Sequence, residues 1–378
     1  MEALLSGLVV LVLILLFLGS GVWVFVGLLL VSTTGLALVL DFPPQRIGVV
    51  LGKILFRSAS SWELAAIPLF ITTVELKQRG YDEGLSLGSL AGAGSLGLLI
   101  PPSIVMIIYG VLAEVSISRL FAAGVLPGLL VAGLYSAWIA LRCTINPALA
   151  PREHDHQISK SRALLDLLPV LILIAMVLGA IYSGLATPSE AAAVGVLGTL
   201  IIVTLLRQMS WRLLRDSLMG AVMASTMVCT ILVAAAFLST AMGYMHVPQD
   251  VAKVIAGADI GPYHLIAMLA VFYVVLGLFL DGISIVVMSL PITLPPVIAM
   301  GFDPIWFGVF VVLMVELGQM TPPVGFNLFV LQGMTGVPIG RVARAALPFF
   351  FLMLVGVIII TAWPQFVLWL PDLLFNKT

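Results

Sequence analysis

The chain has 378 residues, 61% of them hydrophobic and 9% charged, with a net charge of −1 and a mean hydropathy of +1.21. That excludes an ordinary water-soluble globule, which is nearer half apolar and a quarter charged, and it predicts an all-α polytopic membrane protein. The balanced charge gives nothing for nucleic acid to bind, so the lipid bilayer is the partner the composition names.

In chain order, apolar segments fall near 4–18, 22–40, 84–115, 119–141, 164–182, 189–206, 217–243, 263–280, 283–298, 304–333 and 345–370. The start carries no positive n-region, so a cleaved signal peptide is not expected. Cys143 and Cys229 lack metal-ligand spacing and read as small apolar residues. The longest polar stretch, 142–163, reads as a cytoplasmic linker between a first half (1–141) and a second half (164–378). Its "HDH" (His154, Asp155, His156) is a weak metal signal and fits a solvated loop better. "TPSE" (187–190) is a capping box with proline at the first helical position, a structural device.

Two apolar segments are interrupted by paired prolines: "GLLIPPS" (97–103) and "GQMTPPV" (318–324). Proline removes a helix hydrogen bond and pushes the residue before it towards extended geometry, so both helices must break. Gly94 and Gly97 near the first break, and Gly318 and Gly325 near the second, are expected to let the chain turn. Irregular backbone at membrane depth is tolerated only inside protein or along a cavity. Freed carbonyls there suit a small hard cation, and half-helix N-termini suit a carboxylate. Candidate binding residues are therefore Gly94, Ser95, Gly97, Pro101, Pro102 and Ser103 at the first break. At the second they are Gly318, Gln319, Thr321, Pro322, Pro323, Gly325 and Asn327. Asn327 has a donor and an acceptor, so it either holds a carboxylate or braces the break. Glu316 lies one turn before the break, facing a basic group or the cavity. Asp281, with Gly282 and Ser284, marks the tip of a hairpin over 263–300; an acid at that depth is a ligand or the N-cap of the next arm.

The breaks recur. Gly80-Tyr81-Asp82 precedes Pro101 by 21 residues and Gly301-Phe302-Asp303 precedes Pro322 by 21; Pro102 to Pro127 and Pro323 to Pro348 are each 25. One offset of 221 relates all three landmarks, which predicts a duplicated unit with broken helices at matching places, the pattern of a secondary transporter. The first junction, "ELKQRGYDEG", carries Lys77 and Arg79, and its counterpart "PVIAMGFDPI" has no basic residue. The repeats should therefore be inverted. With the 142–163 linker cytoplasmic and 263–300 a hairpin entering from outside, 14 of the 17 basic residues are cytoplasmic; Arg119, Lys253 and Lys377 are outside.

The stretches "AIPLFI", "RGYD", "GSLGLLIPPSI", "FAAGVLPG", "GLATPSEAAAVG", "LDG" and "TPPVGFNLFVLQG" resemble the large membrane subunit of the tripartite ATP-independent periplasmic (TRAP) transporters, the DctM-like family. The resemblance implies an elevator-type permease in the bacterial inner membrane. It implies uptake of organic anions such as C4-dicarboxylates or sialic acids, with Na+ as coupling ion and no other cofactor. The implied partners are a small DctQ-like membrane subunit and a periplasmic DctP-like solute-binding protein. In the family a helix and a re-entrant hairpin stand between "PLFI" and "RGYD"; here "PLFITTVELKQRGYD" joins them directly. Phe237 to Gly301 spans 64 positions and Phe70 to Gly80 spans 10, so the first repeat is short by 54. Alternative readings are a stand-alone sodium–dicarboxylate-type symporter and a transport-inactive truncated homologue. No nucleotide loop, metal cluster or nucleophile–base pair argues for an enzyme.

Overall fold

A computed structural model describes residues 76, 79–150, 160–222, 225–226, 261–278, 280, 282–322 and 325–375, all within one compact unit, Ala66–Thr378. The apolar segments at 4–18 and 22–40, and most of 217–243, lie outside the described residues. Within the described residues every regular element is helical. Five are long and apolar enough to cross a membrane, counting Glu83–Leu112 through its break. The chain is a polytopic α-helical membrane protein.

The Gly–aromatic–Asp landmarks prove to be helix junctions. Gly80 (φ 82°) and Gly301 (φ 87°) take the left-handed conformation that stops a helix. The amides after them, of Tyr81 and Phe302, donate back to the Leu76 and Val297 carbonyls. Asp82 then accepts from the Leu85 amide at 2.7 Å and opens α1 (Glu83–Leu99); Asp303 accepts from the Ile305 amide at 2.7 Å and opens α8 (Pro304–Gln319). Each cap contributes about 1 kcal/mol.

Both broken helices appear where the proline pairs require them. α1 stops at Leu99 and α2 (Ile104–Leu112) resumes after Pro101-Pro102; α8 stops at Gln319 and α9 (Phe326–Thr335) resumes after the second pair. The expectation about glycines needs correcting. Gly94 and Gly97 lie inside α1 and Gly318 inside α8, so they do not turn the chain; Gly325 (φ 17°, ψ 91°) sits within a break. The prolines alone terminate the helices, because they remove the donors and exclude helical geometry before them.

Between the repeats run α3 (Ile117–Ile145), α4 (Lys160–Tyr182) and α5 (Pro188–Leu205). The expected linker 142–163 is trimmed from both sides, since α3 continues to Ile145 with Arg142 lying 5.7 Å over the Trp138 ring, and α4 begins at Lys160. The Thr187 capping box forms as expected: the Thr187 amide donates to Glu190 Oε2 at 2.8 Å and the Glu190 amide to Thr187 Oγ1 at 3.4 Å.

α6 (Pro262–Gly277) and α7 (Gly282–Ala299) form a helical hairpin. Its arms are tied inside apolar surroundings by Tyr273, whose hydroxyl meets Thr293 Oγ1 at 2.8 Å and accepts from Ser289 Oγ at 3.1 Å. Its mouth is closed by Tyr263 and Phe302, with ring centroids 6.2 Å apart. The apolar run at 345–370 is two helices, α10 (Ile339–Ala362) and α11 (Gln365–Phe375), because Pro364 interrupts it; α10 begins before that run, with Arg341 and Arg344 in its first turns.

α10, about 36 Å long, fixes which ends lie together. At its start, Arg341 and Arg344 line a groove of about 420 Å³ with Asp82, Trp138 and Arg142. At its far end, the Ile360 carbonyl accepts from Trp306 Nε1 at 2.9 Å, and Trp306 stacks on Phe302 at the hairpin mouth. Arg119, at the start of α3, pairs with Asp372 of α11 at 3.0 Å. The basic ends of α3 and α10 thus share one side, and the hairpin opens towards the other. Once Cys143 and Cys229 are replaced by serine, single cysteines near Gly261 and Gly301 should react with a membrane-impermeant thiol reagent from the periplasmic side alone. Reaction only from the cytoplasm would reverse the topology.

Candidate functional site

The site is built where the hairpin tip meets both broken helices. Gly282, the first residue of α7, is buried; a Cβ built on it would lie 2.9 Å from Gln319 Nε2 beside the second break and 3.8 Å from Val105 just past the first. α6 approaches the second break even more closely. A Cβ on Gly277 would lie 2.4 Å from the Gly318 Cα, and one on Gly318 would lie 2.6 Å from the Gly277 Cα. Backbone meets backbone there, and only glycine permits it.

The breaks differ in their caps. Ser103, 1% exposed, caps α2 by accepting from the Met106 amide at 3.4 Å. Gly325 opens α9 without a side-chain cap. Thr321 spends its hydroxyl on the Gly318 carbonyl at 2.7 Å, and Ser95 donates to the Gly92 carbonyl at 2.6 Å, so both brace backbone.

Ser95 and Glu316 occupy equivalent positions under the 221-residue offset, and both are fully buried. The Tyr135 hydroxyl of α3 lies beside Ser95 and within electrostatic range of Glu316. The Asn327 side chain lies beside the Glu316 carboxyl. The Tyr135 hydroxyl, both Glu316 oxygens and Asn327 Nδ2 are buried, and among the described residues none makes a hydrogen bond of good geometry. Buried polar groups are nearly always paired, so this cluster is the candidate site. Among the described residues no basic side chain pairs with Glu316.

The other expected residues are placed as follows. Ser284 is half-buried in the first turn of α7, Pro101 is buried, and Pro102 and Pro322 are exposed. Asp281 and Pro323 fall outside the described residues. Gly97, the repeat equivalent of Gly318, would place its Cβ in open space with no atom within 4 Å.

The chain matches the family model described as "Tripartite ATP-independent periplasmic transporter, DctM component" over residues 71–366. The chain belongs to the DctM family. It is 34% identical over 331 residues to the C4-dicarboxylate TRAP transporter large permease protein DctM of Pseudomonas aeruginosa, covering 86% of this chain and 77% of that protein. It is 33% identical over 302 residues to the isethionate TRAP transporter permease protein DctMQ of Oleidesulfovibrio alaskensis (78% of this chain, 46% of that protein). It is 33% identical over 301 residues to the ectoine/5-hydroxyectoine TRAP transporter large permease protein UehC of Ruegeria pomeroyi (79% and 70%).

Membership makes this an integral protein of the bacterial inner membrane and a transporter permease, not an enzyme. The DctM match begins at residue 71, so "AIPLFI" (66–71) contributes its last residue alone. Two residues of this cluster, Glu316 and Tyr135, stood outside the candidate binding residues. Glu316 carried a legible signal, an acid inside an apolar run. Tyr135 carried none, since an aromatic in the middle of α3 looks like any other apolar position until the helices pack.

Proposed function

We propose that the chain is the membrane subunit of a sodium-coupled, solute-binding-protein-dependent secondary transporter that takes up an organic anion. The observation that carries this reading is the meeting of both broken helices at the hairpin tip of a DctM-family chain, around Gly282. Uncapped α9 directs a positive helix end at that place, which favours a carboxylate, while carbonyls released by the prolines favour Na+. The DctM and DctMQ relatives are named for C4-dicarboxylates and isethionate, which supports the anion class; the ectoine name of the third shows that the solute varies. In this reading the hairpin 263–300 is re-entrant, and the repeat unit moves as an elevator between the two faces. A small DctQ-like subunit and a periplasmic DctP-like binding protein complete the system.

Co-expression with those two proteins tests it. The small subunit should co-purify with this chain in detergent, and the binding protein should associate only when loaded with its solute. A chain that purifies alone under the same conditions supports the stand-alone symporter instead.

A further inference from the structure

The groove at the start of α10 serves neither the ion nor the substrate assignment. Three helices build its volume of about 420 Å³. The opening of α1 contributes Asp82 and Glu83, the end of α3 contributes Trp138 and Arg142, and the first turns of α10 contribute Arg341 and Arg344. Arg341 and Arg344 stand one turn apart on one face of α10, are exposed, and form no ion pair among the described residues. Arg142 lies 5.7 Å over the Trp138 ring. Asp82 accepts from the Leu85 amide as the cap of α1, and Glu83 stands in the first turn of that helix. Three guanidinium groups against two carboxylates leave the groove with one positive charge. Its floor is apolar, formed by the buried Leu87 and Phe349.

From Arg344 an apolar stripe runs on along α10. Leu347, Phe351, Val355 and Ile358 follow at offsets of 3, 7, 11 and 14, the spacing of one helix face, and all four are exposed. The stripe is about 21 Å long, more than half of a hydrocarbon core of about 30 Å. A positive groove with a tail's length of exposed apolar surface behind it fits an amphiphile, not a free ion. Trp138 is the kind of residue that sits at headgroup depth. Guanidinium forks match phosphate oxygens, and basic pockets between transmembrane helices are where anionic headgroups dock. We propose that this groove binds one anionic phospholipid, with its phosphodiester on Arg142, Arg341 and Arg344 and an acyl chain along α10. The lipid is of the phosphatidylglycerol type. Its single negative charge matches the single positive charge of the groove, and its glycerol hydroxyls can donate to the carboxylates of Asp82 and Glu83. Bound there, it bridges α1 of the first repeat to α10 of the second. The inference needs the membrane but not the transport reading.

The test is native mass spectrometry of the full chain, delipidated in a non-ionic detergent and titrated with phosphatidylglycerol. A tight adduct of one lipid per chain should form and survive a large excess of inorganic phosphate. Arg341→Gln and Arg344→Gln should each weaken it about five-fold, and the pair about 25-fold. Arg212→Gln with Arg215→Gln removes the same charge from outside this groove and should leave the adduct unchanged. Equal losses in the two double variants would mark general surface charge and overturn the proposal. Equal affinity for phosphatidylethanolamine, which has no net charge, would overturn it too, as would displacement by phosphate, which would mark a free-anion site. Should the groove double variant fail to run as a monodisperse peak in gel filtration, the single variants decide, and unchanged binding in both refutes the site. Failure of solute uptake would count against the proposed function and leave this adduct unaffected.

Discussion

Gly318→Ala should destabilise the chain by about 3 kcal/mol, while Gly97→Ala at the equivalent position of the first repeat should cost nothing. Overpacking typically costs 1–3 kcal/mol, and it costs most where the obstructing atom is backbone and cannot rotate away. At Gly318 the obstruction is the Gly277 Cα, 2.6 Å from the added Cβ. Accommodation requires α6 to withdraw from α8, which loosens the hairpin tip at Gly282 and with it the contact to Gln319. At Gly97 the added methyl meets nothing within 4 Å, and alanine favours the helix over glycine by up to about 1 kcal/mol. Unfolding in mixed detergent micelles, followed by far-UV circular dichroism, measures both. Equal losses at the two positions would show that the repeats are packed alike and would remove the basis for the second expectation.

That expectation concerns transport. Uptake into proteoliposomes containing the 378-residue chain, the small subunit and the loaded binding protein should stay at background. Inserting about 54 residues between Ile71 and Thr72, the length set by the repeat and enough for one span and part of a hairpin, should restore Na+-dependent uptake. The reason lies in the asymmetry of the two half-sites. The second break has its hairpin: α6 and α7 bury Gly318 and Gln319 and carry Gly282 to the centre. At the first break, Ile100 is 41% exposed, Pro102 is exposed and Gly97 faces open space. Ser95 and Ser103 are themselves buried and bonded, but among the described residues nothing covers that exposed edge of the break, and irregular backbone in hydrocarbon needs such cover. An ion bound there would have ligands on one side only. Full uptake by the chain without the insertion would refute the claim that the absent hairpin supplies half the cradle.

Much of the architecture was legible because it is written in local backbone chemistry. Gly80 and Gly301 end helices because only glycine enters the left-handed region cheaply; Asp82 and Asp303 start the next ones because a short carboxylate reaches the first-turn amides. The proline pairs break α1–α2 and α8–α9 whatever surrounds them, and the capping box at Thr187 forms from its own four residues. These effects span a few residues, so spacing alone revealed the repeat; Arg142, Arg341 and Arg344, placed on one side by their charge, do line one groove. The motifs likewise identified the family, which the match over 71–366 shows.

Only the tertiary structure decided which residues the breaks bring together. Gly318 was expected to bend the chain; it instead admits the backbone of α6, a role set by a glycine some forty positions earlier, Gly277. Tyr135, Ser95, Glu316 and Asn327 come from α3, α1, α8 and α9, and nothing in their local sequence couples them. Their convergence depends on how ridges of one helix fall into grooves of another, which is fixed by packing across the whole bundle rather than by the propensity of any segment. The sequence by itself therefore determined the breaks, the repeat, the membrane and the family. The fold alone determined that a fully buried acid at the second break faces a tyrosine and an asparagine with no cation among the described residues.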